Sequence, residues 1–128
     1  MKAQTVESVN KNLLSEAAEW RLISLLFECP INNWRDQVIA LAAEIDDETL
    51  KAAAASIHDE VTEGLYHSTF GPGGPAPPRE VSYRDWIQPG YLISELTTYY
   101  DAFSYKPVTR EVLDHVSVET GFIAYLKL

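Results

Sequence analysis

"DDETLKAAAASIHDEVTEGLYHSTF", residues 46 to 70, runs straight into "GPGGPAPPRE", residues 71 to 80, and that junction sets the fold class. The first stretch opens with acids, where the helix dipole favours them, and continues with an alanine run of high helix propensity. It predicts one helix over 46–70. The second stretch carries three glycines and four prolines, which exclude a helix and a central strand alike. It predicts a non-helical loop or hinge over 71–80.

Upstream, Val9, Leu13, Leu14, Ala17, Trp20, Leu22, Ile23, Leu25 and Leu26 recur at spacings of three and four, the pattern of a helix from Val6 to Phe27 with a wide buried face. Pro30 cannot continue that helix and biases Cys29 away from helical geometry. Trp34 to Ile45 reads as a second helix capped by Asn32 or Asn33. Downstream, Pro89 suits the first turn of a helix running to Phe103, with Leu92, Leu96, Tyr99, Tyr100 and Phe103 as its buried stripe. Thr109 is the cap expected for a last helix that reaches Leu128. No segment alternates as a half-buried strand does. The expected fold is all-α, a single helical domain over residues 1–128 with about five principal helices.

A chain of 128 residues with 46% hydrophobic content can build one core, and two domains find no support. Nineteen acidic against ten basic residues give a formal charge of −9, so nucleic acid and anionic membrane surfaces are repelled and a basic partner is attracted. The one cysteine, Cys29, has no internal disulfide partner, and "MKAQTVESVN" lacks the apolar core of a secretory signal. The apolar runs fall short of the ~20 residues that cross a bilayer. These features predict a soluble, cytoplasmic protein with no membrane span.

On a continuous last helix, Glu111, His115 and Glu119 form one stripe at four-residue steps, with Asp114 beside His115. Carboxylates next to an imidazole can work as a general base with its orienting partner, can bind a divalent metal, or can be a solvated face with favourable side-chain pairs. Spacing alone leaves all three open, including a small metal-dependent hydrolase built on Glu111, Asp114, His115 and Glu119. Asp59, Glu63 and His67 repeat the four-residue step without an H-E-x-x-H pattern and read as surface, as does His58. Cys29 has no basic neighbour in sequence and reads as a structural thiol. No motif calls for a nucleotide, a metal or another cofactor, and no catalytic residue is nominated. The aromatics Tyr83, Trp86, Tyr91, Tyr99, Tyr100 and Tyr105 crowd the segment after the loop, as on recognition surfaces or in a small core.

Three segments together carry a resemblance: "YHSTFGPGGPAPP" at 66–78, "PREVSYR" at 78–84 and "REVLDHVSVETGFIAYL" at 110–126. They resemble the aromatic and Phe before a Gly/Pro loop, the Pro-x-Glu-Ser-x-Tyr segment and the Asp-His helix of the TorD/DmsD/NarJ-type redox-enzyme maturation chaperones. Val81 separates Glu80 from Ser82, and Val112 or Leu113 stands where the family has its proline. The resemblance implies a cytoplasmic chaperone with no cofactor and no chemistry of its own. Such a protein binds the twin-arginine signal peptide of a molybdoenzyme catalytic subunit, or its precursor, until the cofactor is inserted. It implies peptide contacts at Asp114 and His115 and, further, at Pro78, Ser82 and Tyr83; the acid stripe adds Glu111 and Glu119 as candidate contacts, and the aromatic cluster adds Trp86. A nucleotide-binding regulator is a further alternative that the family brings.

The last helix is apolar almost to its end, at Val116, Phe122, Ile123, Leu126 and Leu128, without a Gly or Asn cap. That pattern predicts a chain lacking the family's C-terminal helices, or a homodimer that exchanges elements across the 71–80 hinge.

Overall fold

The computed structural model describes residues 5–109 and 111–128. Two expectations fall partly outside them, the reading of residues 1–4 as no secretory leader and the helix start at Arg110. The fold is all-α. Among the described residues six α-helices follow in order: α1 Val6–Leu26, α2 Trp34–Glu44, α3 Glu48–Glu60, α4 Glu63–Phe70, α5 Pro89–Ala102 and α6 Val116–Leu126, with a 3-10 turn over Glu80–Tyr83. The described residues contain no strand, only an isolated antiparallel bridge between Arg79 and His115.

Local chemistry explains most of the boundaries. Thr5 caps α1 by accepting from the Ser8 N–H at 3.1 Å, and Asp47 caps α3 by accepting from Leu50 N at 2.8 Å. Pro89 opens α5, where its missing N–H costs nothing. Asn33 sits at the N-cap of α2, but its side chain accepts from Gln37 Nε2 at 2.8 Å and not from the backbone.

The 46–70 segment is two helices, where one was expected. Val61 and Thr62 leave the helix with extended backbone, and the Thr62 hydroxyl accepts from Leu65 N at 3.0 Å, so a new helix is capped there. Two successive β-branched residues, the second a good N-cap, outweigh the propensity of the flanking alanines. Asp59 and the Glu63–His67 pair therefore stand on different helices.

Leu22, Leu25, Trp34, Val38, Ile45 and Ala54 form the core, drawn from α1, α2, α3 and the turn after α2. Burying a side chain such as Leu22 or Leu25 contributes about 1.5–3 kcal/mol. Trp34 also donates its indole N–H to the Leu25 carbonyl at 2.7 Å, satisfying an acceptor at the end of α1. α6 packs along α1 on another side, and Gly121 makes the approach close. A Cβ on Gly121 would lie 2.9 Å from Tyr105 Oη and 3.2 Å from Ser24 Oγ.

Three expected apolar faces are corrected. The buried face of α1 begins at Ala17, while Val9, Leu13 and Leu14 are exposed because α2, α3 and α6 pack on its second half. In α5, Leu92 and Tyr100 are buried but Tyr99 and Phe103 are exposed. The terminal apolar stripe is largely covered within the chain: Val118 and Ala124 are buried, Val116, Phe122 and Ile123 half-buried, and Leu126 and Leu128 exposed. Phe122 packs edge-on to Tyr100 and tilted to Tyr105, with ring centroids 4.9 and 5.3 Å apart.

Candidate functional site

The Pro-rich segment and the start of α6 meet in a polar joint. Val116 N donates to the Pro78 carbonyl at 2.8 Å, and Glu80 N donates to the Asp114 carbonyl at 2.9 Å. Between these bonds the side chain of Asp114 is fully buried. Its Oδ1 accepts from Arg79 Nε at 2.7 Å and its Oδ2 from the Val81 N–H at 3.1 Å. A buried carboxylate with a guanidinium partner and an amide donor is the arrangement that makes such a charge tolerable.

Glu111, Asp114 and His115 lie before α6 and not on it, which corrects the expected helical stripe. Thr109 Oγ1 accepts from Glu111 N at 3.0 Å and so closes a turn, with no helix following. His115 is the N-cap of α6, accepting through Nδ1 from Ser117 N at 3.1 Å. Because Nδ1 accepts an amide proton, the neutral ring carries its proton on Nε2. Desolvation lowers the His115 pKa, more than the carboxylates of Glu111 and Asp114 raise it, and the ring is held neutral.

Nε2 of His115 lies 3.4 Å from Tyr66 Oη, and that hydroxyl reaches Glu111 Oε1 at 3.3 Å and the Phe27 carbonyl at 3.2 Å. Burial, and then the Glu111 carboxylate, push the Tyr66 phenol far above its usual range. It stays protonated: its one proton is shared between the Phe27 carbonyl and Glu111, while its oxygen accepts from His115. The network ties α4, the end of α1 and the start of α6 together.

Beside this joint lies a groove of about 520 Å³ lined by Tyr66, His67, Phe70, Pro72, Pro77 and Pro78 together with Arg79, Ser82, Glu111 and His115. Four of the residues nominated from sequence, Pro78, Ser82, Glu111 and His115, therefore share one groove. An adjoining cleft of about 300 Å³ is lined by Phe27, Phe70, Pro78, Tyr83 and Glu119. Trp86 is 98% exposed and lines neither; Tyr83 is 68% exposed and donates to the Pro77 carbonyl at 2.7 Å. Asp114 lines neither groove, its carboxylate being committed to Arg79 and Val81.

Glu119 points elsewhere. Desolvation first, then a hydrogen bond with Glu80, push its carboxyl up to about 8, while Glu80 is held below the usual carboxylate range by that bond and by Arg84. Arg84 reaches Glu80 Oε2 at 2.7 Å. Glu119 Oε1 is buried with no donor facing it, so protonation, which turns the carboxyl into a donor towards Glu80, relieves the pair.

Glu111, Asp114, His115 and Glu119 thus do not converge as the ligands of one ion. The group of three that does converge, among the described residues, is Cys29, Glu63 and His67. Sequence reading missed it, since Cys29 and His67 are 38 positions apart and the i,i+4 spacing of Glu63 and His67 was its only signal. Burial, then Glu63 and Glu111, raise the Cys29 thiol, which disfavours a free thiolate nucleophile there. Compared with protein-family models, curated proteins and solved structures, the chain matches none.

Proposed function

We propose that this domain is a peptide-binding chaperone that holds a short segment, basic at one end and apolar beyond it, in the groove between α4, the Pro-rich segment and the start of α6. The observation that carries the reading is the make-up of that groove: aromatic and proline side chains with the Glu111 carboxylate among them, and an Arg79 whose charge is already met by Asp114. Apolar walls take a hydrophobic segment, and a carboxylate pairs with a guanidinium by charge-assisted hydrogen bonds. The chain's net charge of −9 draws a basic segment in at long range. In this reading Asp114 and His115 are positioning residues. Asp114 fixes Arg79 and Val81, and His115 fixes Tyr66 and the first turn of α6.

The client class follows the resemblance in residues 66–84 and 110–126. It is the twin-arginine signal peptide of a molybdoenzyme catalytic subunit, bound in the cytoplasm before export. Two adjacent arginines followed by an apolar run match the two ingredients of the groove.

The test is calorimetric titration with a synthetic peptide of that pattern against one with both arginines replaced by glutamine. Saturable binding, weaker at high salt and weakened roughly tenfold by Glu111→Gln, is expected; a tenfold change corresponds to about 1.4 kcal/mol. Absence of saturable binding by the unaltered protein, or equal binding of the arginine-free peptide, overturns the reading.

A further inference from the structure

Where α1 ends, three side chains of different chemistry come together. Cys29 follows the helix, Glu63 and His67 lie one turn apart on α4, and one ligand atom from each lies within 4.8 Å of the others. Cys29 Sγ and His67 Nε2 are 3.9 Å apart. A tetrahedral zinc ion with ~2.3 Å to sulfur and ~2.0–2.1 Å to nitrogen places those two atoms about 3.5–3.6 Å apart. That pair needs to close by only a few tenths of an ångström, with the Glu63 carboxylate within 4.8 Å of both.

The frame under the cluster is fixed independently of any ion. Phe27 and Phe70 pack with ring centroids 5.7 Å apart, and Tyr66, on the α4 turn between Glu63 and Phe70, donates to the Phe27 carbonyl at 3.2 Å. The i,i+4 spacing puts Glu63 and His67 on one face of α4, and Pro30 turns the chain just after Cys29.

We propose that Cys29, His67 and Glu63 form a zinc site with one open position, joining the end of α1 to α4. Thiolate, imidazole and carboxylate together suit zinc, whereas magnesium and calcium take oxygen ligands. Of the three ligands, Cys29 lines a cleft of about 450 Å³ together with Glu28, Asn32, Asn33 and Glu111, which has room for water or an exogenous ligand. Glu111 lines that cleft and also the groove beside His67, so the cluster sits between the two. On binding, the Cys29 S–H bond breaks, its electron pair goes to the metal and its proton to solvent. The site is independent of the peptide reading and uses none of the residues nominated for it from sequence.

Cobalt(II) titration of the intact chain tests it, because a cobalt–thiolate bond absorbs in the near ultraviolet. Expected are a saturable thiolate-to-cobalt band at one metal per chain, displaced by zinc, lost in Cys29→Ser, and shifted to at least about tenfold weaker binding in His67→Ala and Glu63→Gln. His58→Ala, which removes an imidazole outside the cluster, is expected to change nothing. No thiolate band, or a band unaffected by His67→Ala and Glu63→Gln, overturns the proposal. His67 and Glu63 are exposed, so those two variants carry the test even if Cys29→Ser fails to fold.

Discussion

The α1–α2–α3 core and the joint between residues 78–81 and the start of α6 are both buried, yet they are held by opposite means. In the core, Leu22, Leu25, Val38 and Ile45 exclude water, and the one polar side-chain atom that counts is the indole N–H of Trp34. In the joint, Asp114, His115 and Ser117 are buried and each is satisfied by a named partner. Apolar packing tolerates small rearrangements, whereas a buried polar joint fails when one partner is lost. The comparison predicts that the core sets total stability and the joint sets geometry.

Breaking the core gives the largest effect. Trp34→Ala removes a buried ring and one of the donors to the Leu25 carbonyl, which keeps the Glu28 N–H at 3.0 Å, and is expected to cost about 3–5 kcal/mol. Chemical denaturation measures it, and a cost under about 1 kcal/mol would mean that α2 is not integral to the core. In the joint, Asp114→Asn keeps the shape and loses the charge facing Arg79. It is expected to cost about 1–3 kcal/mol while leaving peptide affinity per folded molecule unchanged. A folded Asp114→Asn protein that bound peptide tenfold more weakly would move Asp114 from framework to contact residue.

That contrast also explains what the sequence could disclose. Three-to-four spacing of apolar residues located α1, α2 and α5 to within a residue or two, because burial of a helix face leaves a period. The break at Val61–Thr62 and the late start of α6 leave no period; each is a contest between cap and propensity. Thr62 was hidden within a helical pattern, and the Thr109 cap signal lost to His115 because Asp114 is drawn to Arg79 and Val81 from 35 and 33 positions away. Polar residues at helical spacing looked solvated for the same reason. Their partners are distant in sequence, as with Cys29 and His67. The groove was foreshadowed at Pro78, Ser82, Glu111 and His115, but Tyr66, which links Glu111 and His115 to the end of α1, entered only as the aromatic of the 66–78 motif, with no role given to it.

The pH dependence bears on the joint in particular, since Glu119 and His115 both stand on the α6 side. Glu119 titrates near 8 when folded, against about 4.3 in an unfolded chain, so the folded state binds more protons between those values. Its contribution is present below about pH 4.3 and lost as pH rises through 8. His115, lowered when folded, has the opposite sign: its contribution is present above about 6.5 and lost as pH falls through the folded value. Between the folded His115 value and about 6.5 the two opposite slopes offset each other, and above that the Glu119 loss stands alone, so stability should be nearly level in mildly acidic solution and fall towards pH 8. Glu119→Gln removes the alkaline loss, and solvent screening of this half-buried pair keeps the gain at pH 9 to roughly 1–2 kcal/mol. Thermal melts from pH 5 to 9 check both limbs, and a wild-type melting temperature that rose steadily to pH 9 would show Glu119 ionised throughout.

The smallest effect on stability belongs to Trp86, whose side chain touches neither the core nor the joint. At 98% exposure its removal forfeits almost no burial, and Trp86→Ala is expected to stay within about ±0.5 kcal/mol of the parent. A large aromatic left in water is nevertheless unusual, and it lies three residues beyond the 3-10 turn that carries Ser82 and Tyr83. If a bound segment extends from the groove along that turn, Trp86 supplies a rigid apolar contact at low entropic cost, and its loss weakens peptide binding by about 1–2 kcal/mol. Titration of Trp86→Ala beside Glu111→Gln separates the two ends of the surface. Weakening that persists at high salt for Trp86→Ala, but fades for Glu111→Gln, distinguishes an apolar contact from a charge contact. Equal affinity of Trp86→Ala and the parent protein would confine the segment to the Pro-walled groove.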